Sequence, residues 1–379
     1  MDKHSKAELI NSFRKHYNKA CKKDKGRIIS QIVEATGYCR KHVIMSLNGD
    51  RRVSKIVTRT RKSKYTSISE SLKKIWAVAN FICGKRLKPF MPLLIDSLKQ
   101  HNEITLTRQE EVLLLGISPA TIDRLLAPAR KAIGIKGRST TKPGTLLKHQ
   151  IAVKTFAEWD NTIPGFLQID LVAHCGMSTG GEYINTLNMV DVATGWCITT
   201  AFMGRSERFC TTAIDEVTPN LPFPILGIDS DNGSEFINAH MKRYCENHSI
   251  TFTRGRANKK NDSCFIEQKN WDIVRKMIGY KRLEKHDELI VLKQIYDLVG
   301  LYQNYFQPSR KLISKVRVGP KVTKKYDVAQ TPAQRLLTLK DTPRYVKRRL
   351  QETFKQLNPA LLMRDIQNLI TDLYDTDTQ

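Results

Sequence analysis

Three acidic residues stand in settings from which chemistry at phosphorus could be built. Asp170 lies late in the apolar run Gly165-Phe166-Leu167-Gln168-Ile169-Asp170-Leu171-Val172. Asp231 lies in the turn Asp229-Ser230-Asp231-Asn232-Gly233, and Glu267 in the helix-like stretch Ser263-Cys264-Phe265-Ile266-Glu267-Gln268-Lys269. Between Asp231 and Glu267 there are 35 residues. Oxygen-only side chains suit hard divalent cations, and two Mg2+ ions held by carboxylates drive in-line displacement at a phosphodiester. Each acid alone also has an ordinary reading. A strand-end Asp caps a turn, Asn-Gly is a turn signal by itself, and a helical Glu is usually a solvated surface residue. Their order and spacing give them weight together.

The surroundings of each acid indicate the element that must carry it. Leu167, Ile169, Leu171 and Ala173 alternate with Phe166, Gln168, Asp170, Val172 and His174. A strand over 166–173 therefore turns Asp170 and His174 away from its most apolar face. Apolar stretches at 183–190 and 196–202, set off by glycine-containing turns, predict two more antiparallel strands. A helix at 206–217, a buried strand at 224–229, a helix at 235–247, a short strand at 250–253 and a long helix at 263–278 follow. Asp231 then sits at the carboxyl end of a strand, where α/β sheets place ligand sites. Asp229, two residues earlier, competes for that role, and Glu235 reads as a first-turn acid favoured by the helix dipole. Arg254, Arg256, Lys259 and Lys260 form a basic loop leading into the helix of Glu267, placed to grip DNA. Three strands followed by strand–helix alternation make an α/β layer arrangement of ribonuclease-H type.

The flanks differ in kind. Helices with short breaks fill the first 150 residues. A helix, Gly-containing turn, helix outline covers Gly26–Gly49, with Arg40 and Lys41 on the second helix. It recurs over Leu113–Leu126, where Ser118 suits an N-cap, Pro119 fits the first turn and Arg124 follows. Two such outlines in one basic segment favour DNA binding over a plain bundle. The expected organisation is multidomain: helix-turn-helix regions at 1–60 and 61–135, a polar linker at 136–155 and an α/β catalytic core at 156–290. A helix and a basic DNA-binding or assembly region with few long periodic stretches, with room for a small β element, fill 291–379.

Charge supports that division. The formal net charge is +26, a surplus that points to a polyanionic partner. Residues 1–65 hold 18 Lys/Arg against 5 Asp/Glu and residues 303–355 hold 14 against 3, whereas 160–290 hold 14 against 17. A merely basic surface would not spare the segment that carries the three acids; counterion release from duplex phosphates rewards charge on its flanks. The 8 cysteines are scattered without a CxxC pair, as expected in a reducing cytoplasm, here at the nucleoid. His174-Cys175 and Cys264 invite a zinc site, but no second pair at ligand spacing accompanies them, and structural roles are the stronger reading. No run approaches the roughly 18 apolar residues of a membrane span, so no membrane partner is expected.

Several longer motifs carry a resemblance. They are Ser118–Leu126 (SPATIDRLL), Thr141–Gly144 (TKPG), Asp170–Gly176 (DLVAHCG), Ala193–Trp196 (ATGW), Gly227–Asn238 (GIDSDNGSEFIN), Glu267–Trp271 (EQKNW), Asn304–Leu312 (NYFQPSRKL) and Tyr326–Leu337. Together with the 35-residue interval they resemble bacterial insertion-sequence transposases with a retroviral-integrase-like (rve) DDE core. The resemblance implies a ribonuclease-H-like core whose catalytic, metal-binding triad is Asp170, Asp231 and Glu267, with two Mg2+ or Mn2+ ions per active site. It implies an enzyme that binds transposon ends, cleaves to free 3′-hydroxyls and joins them to target DNA, both double-stranded, as a homo-oligomer in the synaptic complex. In the better-known integrases, basic residues one and two turns past the glutamate touch DNA. Trp271 and Val274 stand there in this chain, so Lys269, Arg275 or Lys276 would have to substitute. His174 is an auxiliary candidate beside the metals. Two alternatives stay open: a domesticated DNA-binding regulator with an inactive nuclease fold, and a metal-dependent nuclease. The intact triad weighs against the first, and the paired helix-turn-helix outlines against the second.

Overall fold

A computed structural model of the chain describes residues 1–49, 64–133, 152–153, 162–204, 207–230, 236, 238–254 and 264–375. Residues 1–64 form one compact unit and 65–379 another. In the first, Asp2 starts α1 (Lys3–Lys19) by accepting from the His4 and Ser5 amides, which have no partner inside the helix. α2 (Lys22–Thr36) ends on Gly37, whose φ of +67° is the left-handed cap that glycine adopts without steric cost. The Gly37 amide donates to Val33 O, and α3 (Arg40–Asn48) begins after two more residues. Ile10, Tyr17, Ile29, Ile32, Val43 and Leu47 close a small core, and Arg14 ties α1 to α3 through Ser46 O at 2.7 Å.

The second unit opens with α4 (Ser69–Val78), α5 (Gly84–Gln100), α6 (Arg108–Gly116) and α7 (Pro119–Ile133). α6 and α7 are separated by two residues and meet at 105°. Ser118 Oγ accepts the Thr121 amide at 3.2 Å where α7 starts. α5 packs on α7 at Gly84, whose amide donates to Asp123 Oδ1. A Cβ on Gly84 would stand 2.3 Å from Pro119 O, so the approach requires glycine. Among the described residues no single helix is long and apolar enough to cross a membrane.

The sheet has six strands: β1 (Ala152–Val153), β2 (Phe166–Ala173), β3 (Ile184–Asp191), β4 (Cys197–Met203), β5 (Gly227–Ser230) and β6 (Thr251–Arg254). Their order is β1-β6-β5-β2-β3-β4, with β2, β3 and β4 antiparallel and β5, β6 and β1 parallel. One face has an apolar centre: Leu167, Ile169, Leu187 and Met189 pack on α8 (Glu207–Val217) and α9 (Ala239–Asn247) through Ile214 and Met241. The other face lies under α10 (Cys264–Lys269), a π-helical turn (Asn270–Arg275) and α11 (His286–Phe306). Asn304 on α11 satisfies both the amide and the carbonyl of Cys197, each at 2.8 Å, on the free edge of β4. The α4–α5 corner is fixed to the end of α11: Tyr302 OH donates to Val78 O, Gln307 to Ala79 O and Arg86 to Pro308 O. This is a helical N-terminal region followed by a mixed-sheet core flanked by helices, the ribonuclease-H-like arrangement.

Three details differ from expectation. The helix expected from residue 235 starts at Ala239, because Asn238 caps it by accepting the Met241 amide at 2.8 Å; Glu235 itself lies outside the described residues. Arg254 does not open a loop: it is the last residue of β6, paired with Ser230 and buried. The C-terminal region is more ordered than its composition suggests. It holds the hairpin β7 (Leu312–Val318) and β8 (Lys321–Tyr326), then α12 (Pro332–Thr338), α13 (Arg344–Gln356) and α14 (Pro359–Asp375). α13 buries only Val346 and Leu350 amid basic residues, so its apolar stripe is hard to see in sequence.

Candidate active site

Strand register builds the site. Asp170 on β2 is opposite Asn188 on β3, and Asn188 is opposite Thr199 on β4, so the three side chains form one row on the face beneath α10 and α11. A fourth residue closes the row from above. Asn270 donates its amide to Asp170 Oδ2 at 2.5 Å and accepts from Asn188 Nδ2 at 2.9 Å. Asn188 Oδ1 in turn accepts the Thr199 hydroxyl at 3.1 Å, and Asp170 Oδ1 accepts the Leu171 amide at 2.8 Å. Both oxygens of Asp170 thus accept from neutral donors, which fix the carboxylate.

Glu267 is exposed, in the first turn of α10, three residues before Asn270. Residues three apart on a helix share a face, so the side chain that grips Asp170 is also the neighbour of Glu267. Asn270 begins the π-helical turn, a wide turn that often marks functional positions in helices. From that turn Ile273 and Val274 enter the core.

Asp231 lies outside the described residues. What is described stops one residue short of it: β5 pairs with β2 through Ser230 and Ile169, the residues just before Asp231 and Asp170. Asp229, its competitor, is paired in register with Gln168, is buried and accepts the Thr253 hydroxyl at 2.8 Å. Arg256, Lys259 and Lys260 are also outside the described residues. Among the described residues no three His, Cys, Asp or Glu side chains gather closely enough to hold a metal. Asp170 and Glu267 are the oxygen donors that the described part supplies on this face, and the donor chemistry suits Mg2+ or Mn2+ rather than zinc.

The remaining candidates fall in three groups. Lys269, Arg275 and Lys276 have protein partners: Gln303 at 3.5 Å, the Ala173 carbonyl at 3.2 Å and Asn80 Oδ1 at 3.0 Å, respectively. Arg275 also stacks on Tyr280, 4.8 Å from the ring centre. His174 is a buried strut. Its Nε2 lies 2.8 Å from Thr186 Oγ1, which lies 2.7 Å from the Tyr296 hydroxyl on α11. Burial first, and then the nearby Arg275 charge, push the His174 pKa down to about 3, so the ring is neutral at physiological pH. Arg40 and Lys41 are exposed on the first turn of α3, and Arg124 is exposed on α7.

Asn270, Asn188 and Thr199 were not among the expected site residues. For Asn270 a signal existed, since it stands one helical turn from Glu267 within the Glu267–Trp271 motif. Asn188 and Thr199 become visible only when three strands are set in register.

The chain matches the integrase core domain family over residues 161–260. It is 34% identical over 331 residues to the uncharacterized protein y4rM of Sinorhizobium fredii (strain NBRC 101917 / NGR234), which covers 87% of this chain and 95% of that protein. The HTLV-2 integrase catalytic core domain, solved in complex with magnesium in a dimeric form, is similar over 40% of this chain and 93% of its own. That similarity has 15% sequence identity and a TM-score of 0.30. With an integrase core domain at its centre and a relative that matches it over nearly its whole length, the chain belongs to the integrase-like transposases of the integrase core family.

Proposed function

We propose that this protein is a DDE-type polynucleotidyl transferase that cleaves the ends of a mobile element and joins the freed 3′-hydroxyls to target DNA. The observation that carries the reading is the Asn270 bridge. It ties the helix of Glu267 to the carboxylate of Asp170, beside the point where β5 runs toward Asp231. Asp170, Asp231 and Glu267 would hold two divalent cations, whose chemistry is to acidify a bound water and to neutralise charge on the phosphodiester during in-line displacement. The protein itself supplies position. Asp170 is held by Asn270 and the Leu171 amide, and the sheet beneath keeps that geometry when substrate arrives.

Exposed Arg40 and Lys41 on α3, and Arg124 on α7, are the residues assigned to reading the element's ends. Each lies in the second helix of a helix pair joined by a short turn, the part of such motifs that enters the major groove. The basic residues Arg256, Lys259 and Lys260 are assigned to the DNA backbone beside the metals, and synapsis of two ends calls for a homo-oligomer. The test is cleavage of a labelled duplex that carries the terminal repeat flanking the gene, with Mg2+ present. Asp170→Asn should abolish cleavage while end binding, which rests on the basic flanks, stays within a few-fold of wild type. Cleavage retained by Asp170→Asn would sink the reading.

A further inference from the structure

The hairpin β7–β8 is built unlike the rest of the chain. Every residue from Leu312 to Tyr326 is exposed, including Ile313, Val316 and Val318 at 60%, 56% and 73%. An isolated two-stranded ribbon with neither face covered is marginal in water. Yet its base is clamped. Asp327 accepts the Lys311 amide at 2.6 Å and pairs with the nearly buried Arg335 guanidinium at 2.6 Å. Arg335 also donates to Ser309 O, while Lys311 Nζ donates to Ala193 O in the turn between β3 and β4. At the tip Gly319 has φ of +58° and is followed by Pro320, the Gly-X order of a tight two-residue hairpin turn. A stiff stem thus holds out a ribbon of about 23 Å, from 7 residues at 3.2–3.4 Å each.

Its charge states what it is held out for. Residues 311–326 contain 6 Lys/Arg and no Asp/Glu. In the register Lys315 stands directly opposite Lys324, and Arg317 opposite Val322, so three cations share one face. Like charges directly opposed across a ladder are unfavourable, and no acid within the ribbon relieves them. A polyanion would. A two-stranded ribbon is also an element that the major groove of duplex DNA admits.

We infer that β7–β8 is a DNA-gripping ribbon, with Lys315, Arg317 and Lys324 against the phosphates of a duplex. For the identity of the anion this rests on the DNA-transfer reading. A second copy of the chain, pairing edge to edge, is the competing occupant, and the repulsion between the five cations of residues 312–326 speaks against it.

The experiment uses the full chain in EDTA, so that catalysis plays no part, and follows binding to a fluorescent duplex across a salt series. The triple variant Lys315→Ala/Arg317→Ala/Lys324→Ala should flatten the plot of log affinity against log salt by about three units of slope, at about 0.9 per lost phosphate contact. Lys315→Glu alone sharpens the test. It places an acid opposite Lys324 and so should leave the melting temperature equal or higher, while weakening duplex binding several-fold. Tight wild-type binding with an unchanged slope in the triple variant overturns the ribbon inference alone. So does an unchanged slope accompanied by loss of self-association in sedimentation, which would assign the ribbon to a second copy. Wild-type protein with no salt-dependent duplex binding would overturn the DNA-transfer reading together with it.

Discussion

The two faces of the central sheet come from the same strands and do opposite things. Toward α8 and α9 the strands present Leu167, Ile169, Leu187 and Met189, all buried and all apolar. Toward α10 and α11, one residue along each strand, they present Asp170, Asn188 and Thr199 in a connected polar row, with Thr186 and His174 beside it. The apolar centre of the first face needs only volume and exclusion of water. The second needs donors matched to acceptors, because a partly satisfied polar network in a core is worse than none. The two-residue period of a strand lets one sheet serve both purposes, and stability and chemistry should therefore be separable by substitution.

The largest separation should come from Glu267→Gln. The side chain is exposed, so unfolding by urea should be unchanged, while strand transfer should fall by at least about 1,000-fold through loss of a metal ligand. A drop in stability of similar size would mean that Glu267 is structural. The apolar face should answer in the reverse sense. Leu187→Ala should lower unfolding free energy by about 3 kcal/mol through lost contacts and a residual cavity. The folded fraction should keep near-normal turnover, and turnover lost beyond the unfolded fraction would blur the division between the faces.

Asn270→Ala tests the bridge itself. A residue that orients a metal ligand typically contributes 10- to 100-fold, and about that loss in strand transfer is expected. Because the loss acts through metal geometry, raising Mg2+ or substituting Mn2+ should recover part of it. A rate insensitive to the metal would show that Asn270 only holds the helix down.

The smallest effect concerns His174. Its folded pKa is depressed below the unfolded value of 6.5, so protonation favours the unfolded chain. Its contribution is fully present above pH 6.5 and is lost as pH falls toward about 3, by at most about 1.4 kcal/mol per pH unit. His174→Gln should be less stable at pH 7 but show a shallower decline between pH 6.5 and 4.5 in parallel melts. Equal slopes would remove His174 from the acid response.

What could be read from sequence follows the range of the interaction. β2, with Asp170 on it, was legible because alternation is local, and the helix of Glu267 because its setting is local too. The Asn188 and Thr199 row was not, since it depends on which residues of three strands meet. The π-helical turn was hidden because the sequence 263–278 reads as one continuous helix. The start of α9 was misplaced by four residues, as the Asn238 cap lies inside a stretch whose periodicity already looks helical. The hairpin's exposure was invisible for another reason. Strand-forming residues such as Val316 and Val318 predict burial, and only the fold shows that nothing covers them.

We propose that Asp170, Asp231 and Glu267 together make a metal-dependent transfer site. The direct measurement is joining of a pre-cleaved terminal-repeat duplex to a supercoiled plasmid in Mg2+, with Asp231→Asn and Asp229→Asn compared side by side. Asp231→Asn should abolish joining with little change in stability. Asp229→Asn should join at a measurable rate with a lower melting temperature, because it disturbs the buried contact with Thr253. Joining retained by Asp231→Asn and lost in a stably folded Asp229→Asn would contradict the account.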